Sequence, residues 1–191
     1  EVTMRGSHRS TTFALLPLAA LFIACGDAGT PDPDALLAPG TLPEARGGPA
    51  PTAESNQFIA HLTGAEEVPA VDTRAQGQAT FRLSGDGSEL SYRLIVANIE
   101  DVLMAHIHLG PAGVNRGVIA WLYPEDGPPP VLIEGRIQGV LATGVITADD
   151  LTGFDEVTTM EQLVDRMRTG GAYVNVHTTA NLGGEIRGQI R

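Results

Sequence analysis

From Gln57 to Arg191 apolar and polar residues alternate in short runs, separated by clusters of Gly, Pro, Asn and Asp. That pattern predicts strands joined by turns. Phe58 to Leu62 is a short apolar strand. Gly77 to Leu83 alternates, Ser84-Gly85-Asp86-Gly87 turns, and Glu89 to Ala97 alternates again, a predicted hairpin. Ala105 to Leu109 and Gly117 to Tyr123 follow. Pro124 to Pro130 is a loop, because its three consecutive prolines cannot continue a ladder. Val131 to Gln138 and Gly139 to Ile146 are two further strands. Only one stretch has a helical period: Thr159 can cap it, Glu161 sits in its first turn, and Leu163, Val164 and Met167 form one stripe before Gly170-Gly171. Ala172 to His177 and Glu185 to Ile190 are the last strands. The prediction is an all-β fold, an antiparallel Greek-key sandwich or barrel of about eight strands, with one short helix near 160–169.

The strand phases place candidate chemistry. In Ala105 to Leu109, His106 and His108 share one face, and Ala105, Ile107 and Leu109 share the other. In Ala172 to His177, Tyr173, Asn175 and His177 oppose Ala172, Val174 and Val176. In the last strand Glu185, Arg187 and Gln189 oppose Ile186 and Ile190. The apolar sets belong to the core, so the polar sets are expected to form an outer surface. If the His106 strand pairs nearby, three imidazoles meet there, with Asn175 and Glu185 placed to orient them. Two readings stand side by side: a hydrogen-bonded polar patch, or a surface site for copper, with zinc less favoured. His61 reads as a surface residue of an edge strand. Glu185 with Arg187 reads as a surface ion pair, and Glu66-Glu67 and Asp149-Asp150 as solvated turns.

The first 56 residues follow another pattern. Arg5 and Arg9 precede a twelve-residue apolar run, Phe13 to Ala24, too short to span a bilayer as a helix. It ends in Leu21-Phe22-Ile23-Ala24-Cys25-Gly26, which resembles a bacterial lipobox, although Phe22 departs from the usual leucine. Residues 1–25 are therefore expected to be an export signal that leaves Cys25 lipidated, with an ordinary secretory signal as the alternative. A lipidated Cys25 would anchor the chain to a membrane at the cell envelope, the outer membrane in a Gram-negative host; otherwise the chain is secreted. Residues 26–56 carry six prolines in 31 positions and read as a disordered tether with a reach of about 30 to 95 Å.

Composition narrows the function classes. The net charge is −11, and the twelve basic residues are all arginine and unclustered, a poor match to nucleic acid. The one cysteine, Cys25, lies outside the predicted domain, so no disulfide can brace it. There is no Gly-x-Ser-x-Gly elbow and no phosphate loop, and no catalytic residue is assigned.

Four segments carry a family resemblance: Phe58 to Pro69, Ala105-His-Ile-His-Leu-Gly-Pro-Ala-Gly113, Gly144 to Gly153, and Tyr173 to Gln189. In order and spacing they resemble the CHRD domain, the module of chordin and of many bacterial secreted proteins, over residues 57–191. His61 and Leu182 depart from its usual pattern. The resemblance implies an extracellular binding module with a protein or cell-wall ligand. Its His-x-His followed by a later strand histidine is also similar to the copper ligands of copper/zinc superoxide dismutases, which are Greek-key barrels. That likeness implies a copper-dependent redox enzyme as the alternative function, although a fourth histidine, a zinc half-site and a disulfide are missing.

Overall fold

The computed structural model describes residues 55–191. The expected export signal, Cys25 as the expected lipidation site and residues 26–54 of the expected tether lie outside the described residues. The all-β expectation holds. The elements are β1 (Gln57–Thr63), β2 (Gln76–Leu83), β3 (Leu90–Leu109), β4 (Val118–Tyr123), β5 (Ile133–Ile146), α1 (Met160–Arg168), β6 (Ala172–Thr178) and β7 (Ile186–Gln189). The helix begins where its cap predicts. Thr159 accepts from the Gln162 backbone N–H, and the Gln162 side chain reaches back to the Thr159 N–H. Met160, Leu163, Val164 and Met167 are its buried stripe.

Two pairs of predicted strands are single strands. Glu89–Ala97 and Ala105–Leu109 belong to the 20-residue β3, and the two candidates between Val131 and Ile146 make the 14-residue β5. The polar segment Asn98–Asp101 looks like a turn, but it bends β3 without ending it. Asn98 and Asp101 take φ of 55° and 52°, which short Asx side chains tolerate. Core-facing positions in β3 run Leu90, Tyr92, Leu94, Val96, then Ile99, Val102, Ala105, then Ile107 and Leu109. The step of two becomes three where pairing with β5 and β6 slips, and each such step inserts one residue.

The bent strand serves two ladders. Its first half lies between β2 and β5, and its second half between β6 and β4. The sheet order is β2-β1-β7-β6-β3-β4, and the additional β2–β3 pairing closes five strands into a barrel. The β1–β7 seam is short. Thr63 pairs with Arg187, and Ile59 and Arg191 exchange backbone bonds of 2.8 and 2.9 Å. At that seam a Cβ on Gly188 would lie 2.2 Å from the His61 carbonyl oxygen, so only glycine lets the two backbones approach.

The polar sets of β6 and β7 are not the open surface that alternation predicts. All seven residues of β6 are buried. Its inner face packs into the core, and its outer face is covered by loops 64–75, 110–117 and 179–185. Asn115 ties two of these covers together by donating to the Val68 carbonyl at 2.6 Å.

Gly188→Ala is expected to lower unfolding free energy by about 3 kcal/mol, because the methyl must force the barrel seam apart. Gly85→Ala, where nothing lies within 4 Å, is expected to stay within about 0.5 kcal/mol of the parent. Urea denaturation of both variants checks this; equal stabilities would contradict the seam.

Candidate metal centre

The pairing that alternation leaves open is present. β3 and β6 run antiparallel, with His106 opposite Asn175, His108 opposite Tyr173 and Met104 opposite His177. On the other side of β3, His106 pairs with Trp121 of β4. This register brings His106, His108 and His177 together, with one ring nitrogen from each lying within 4.8 Å of the others. They sit outside the barrel wall but beneath the loops, with exposures of 3%, 9% and 6%. The expectation of a surface site is therefore corrected to a covered one. His61 is exposed and is not part of the cluster.

Hydrogen bonds orient the rings. His108 Nδ1 lies 2.8 Å from the Arg116 carbonyl oxygen, and His177 Nδ1 lies 2.8 Å from that of Leu182. A carbonyl only accepts, so both Nδ1 atoms carry the proton and both Nε2 atoms present lone pairs. His106 Nδ1 lies 3.2 Å from His177 Nε2 and is the donor of that pair, which leaves His106 Nε2 bare. His106 Nε2 and His108 Nε2 are buried with no partner. His177 Nε2 also faces Asn175 Oδ1 at 3.0 Å, so this ring has an oxygen acceptor at each nitrogen. A neutral imidazole has one N–H and cannot satisfy both.

Burial keeps the rings neutral. It pulls His106 down to about 3, with the neighbouring His177 and His108 adding to the effect. It pulls His108 down to about 4, partly opposed by the Arg116 carbonyl. It also lowers His177, against the bond to Leu182. Each ring then offers a lone pair at neutral pH without first losing a proton. Aromatic rings wall the cluster: Trp121 meets His106 edge-on at 4.2 Å between centroids, and Tyr173 stacks on His108 at 4.9 Å.

The supporting residues divide differently from expectation. Asn175 touches His177, as its strand position implies. Glu185 instead accepts from Thr73 and Thr178 hydroxyls, at 2.7 Å each. Arg187 is no surface ion pair. With 1% exposure it donates to Asn115 Oδ1 at 2.8 Å and to the Pro111 and Val114 carbonyls at 3.1 Å each. Its guanidinium also lies 3.5 Å from the Tyr173 ring centroid. Arg187 thereby pins the loop whose Arg116 carbonyl holds His108. Glu67 is the residue that sequence reasoning misses. It is buried at 6% exposure, its Oε1 has no partner, and burial raises its carboxyl to about 7 although Arg187 pulls the other way.

A family model for the CHRD domain matches residues 58–190. The chain belongs to the CHRD domain family. No curated protein and no solved structure matches it, so the likeness to superoxide dismutases gains no support. CHRD domains are typically extracellular modules, and no helix among the described residues is long and apolar enough to cross a membrane. The three imidazoles of the cluster lie in two of the four segments that carried the resemblance to the CHRD domain.

The depressed imidazoles fix a sign for pH. In the unfolded chain they take up protons near pH 6.5, whereas in the fold His106 and His108 hold off to about 3 and 4. The unfolded state binds more protons between those values, so this contribution destabilises the fold as pH falls from 6.5 toward 4. Glu67, raised to about 7, acts in the opposite sense. The difference between the parent and a His106→Gln/His108→Gln variant isolates the imidazoles. The parent is expected to lose stability relative to the variant by up to about 1.4 kcal/mol per pH unit per imidazole. Urea titrations at pH 7.5, 6.5, 5.5 and 4.5 measure it; a difference independent of pH would contradict the neutral-ring assignment.

Proposed function

We propose that this CHRD domain is an envelope-tethered extracytoplasmic binding module whose three imidazoles hold one transition-metal ion, copper ahead of zinc. The observation that carries the reading is the cluster itself: one ring nitrogen from each of His106, His108 and His177 lies within 4.8 Å of the others, in a buried position where two imidazole nitrogens have no partner. A buried lone pair without a donor forfeits hydration and gains nothing in return. A cation held by all three rings would take the place of the His106–His177 hydrogen bond, and at His177 Nε2 it also relieves the contact with the Asn175 oxygen. Neutral imidazoles suit copper and zinc, and copper stands higher in the affinity order for nitrogen ligands. The carbonyls of Arg116 and Leu182 supply the bonds to the second ring nitrogen that orient metal-bound histidines.

The covered position of the cluster favours holding an ion over turning over a diffusing substrate, which argues for the module rather than the redox enzyme. The anchor and tether, Cys25 and residues 26–56, complete the proposal: they would hold the domain at a membrane surface within reach of a protein or cell-wall ligand.

Titration of the metal-free chain with Cu(I), Cu(II) and Zn(II) tests the centre. One equivalent is expected to bind with micromolar or tighter affinity. Cu(II) is expected to quench the single tryptophan, because Trp121 lies against His106. His106→Ala/His108→Ala is expected to weaken binding at least a hundredfold; a parent protein that binds none of the ions overturns the reading. In a bacterial host, Cys25→Ser is expected to move the chain from the membrane fraction to the soluble one, and an unchanged distribution would refute the anchor.

A further inference from the structure

We propose that Glu67 is a positioning residue of the three-imidazole centre, balancing the charge of the bound cation through the Asn175 carboxamide across the bare Cα of Gly184. The proposal rests on the reading of His106, His108 and His177 as a metal site. Glu67 is not a fourth ligand in this arrangement, since the cluster of ligand atoms comprises the three histidines.

Three observations place Glu67 there. Its Oε1 is buried without a partner in a part of the fold where the other acid is saturated, Glu185 taking a threonine hydroxyl on each oxygen. Glu67 Oε1 and Asn175 Nδ2 both border the space beside the Gly184 Cα, with no hydrogen bond to Oε1: a Cβ on Gly184 would lie 2.3 Å from the first and 2.8 Å from the second. Gly184 adopts a φ of +124°, which other residues rarely take, and any side chain there would push the carboxylate or the amide out of place. Finally, the far end of that amide, Oδ1, lies 3.0 Å from His177 Nε2.

The orientation of the amide makes chemical sense with a cation present. Its oxygen is on the His177 side and its nitrogen on the Glu67 side. Without a cation the amide oxygen faces a His177 Nε2 whose lone pair already accepts from His106, and two acceptors make no hydrogen bond with each other. With a cation at Nε2 the oxygen points toward positive charge, and the nitrogen is left to donate to an ionised Glu67. Three neutral imidazoles bring no negative charge, and a divalent ion among them is poorly compensated at this burial. Glu67 supplies one negative charge by way of one amide.

The titration of Glu67 supports this geometry. Its carboxyl is raised to about 7 by burial, and the charged group acting on it is Arg187 of β7, which favours the anion. The Arg187 donors are themselves occupied by Asn115 and the Pro111 and Val114 carbonyls, so Glu67 keeps an unsatisfied demand for positive charge.

The test compares the full chain with Glu67→Gln, which keeps size and hydrogen bonding and removes the charge. Cu(II), Zn(II) and Cu(I) are titrated at pH 6, 7 and 8. At pH 8 Glu67→Gln is expected to weaken Cu(II) and Zn(II) about tenfold to a hundredfold, and monovalent copper less. Parent affinity for the divalent ions is expected to rise from pH 6 to 8, and that rise is expected to vanish in Glu67→Gln. Asn175→Leu, which breaks the relay from its other end, is expected to lose the same rise and keeps the test open if Glu67→Gln misfolds. Parent-like affinity and pH profile in Glu67→Gln overturn the proposal and leave the three-imidazole reading standing, provided His106→Ala/His108→Ala still abolishes binding. An equal loss for all three ions at every pH overturns the charge role as well. A parent chain that binds no metal overturns both.

Discussion

A buried guanidinium must have its donors taken, and the way Arg187 meets that demand organises the outer side of this barrel. Its donors go to one side chain and two carbonyls of loop 110–117, so the loop is held down over β6 and β7. With the loop in place the outer face of β6 becomes interior, which no strand alternation would arrange. The same loop presents the Arg116 carbonyl to His108. One cation on β7 thus determines both the burial of the centre and the tautomer of one of its rings. Breaking such an interaction from one side leaves a charge in low dielectric, which is why its removal costs more than its bonds are worth.

Much of the fold was legible because it rests on local rules. The β2–β3 hairpin follows from period two and the Ser84–Gly87 turn, and α1 from its cap and stripe. His106, His108 and His177 could be assigned to one side of the barrel wall because strand phase alone decides it. What was not legible depends on distant partners. Glu185 and Arg187 share a face two residues apart and so suggest a pair, yet their bonds reach 112 and 72 residues back in the chain. Glu67 follows another acid and nearly precedes a proline, which looks like solvent-exposed turn chemistry. Its burial comes from the Gly184 and Asn175 side of the fold.

The strand count teaches a related point. Asn98 and Asp101 have the composition of a turn, and the backbone does take turn-like φ values at both. The chain nevertheless continues as a strand, because β5 keeps pairing with it across the bend as far as Val102, where β6 takes up the ladder. Composition identifies where a backbone departs from extended geometry. It does not say whether the ladder ends there.

Those inserted residues in β3 have a consequence for how the gene can vary. The first half of the strand puts even-numbered positions in the core and the last stretch puts odd-numbered ones there. Parity reverses because an odd number of extra residues is accommodated between Val96 and Ala105. Deleting or adding a single codon in that interval would restore the original parity. His106 and His108 would then turn into the apolar interior, and Ile107 and Leu109 would stand among the aromatic rings outside. Substitutions along the bend can be absorbed singly, whereas changes in its length can be absorbed only in pairs.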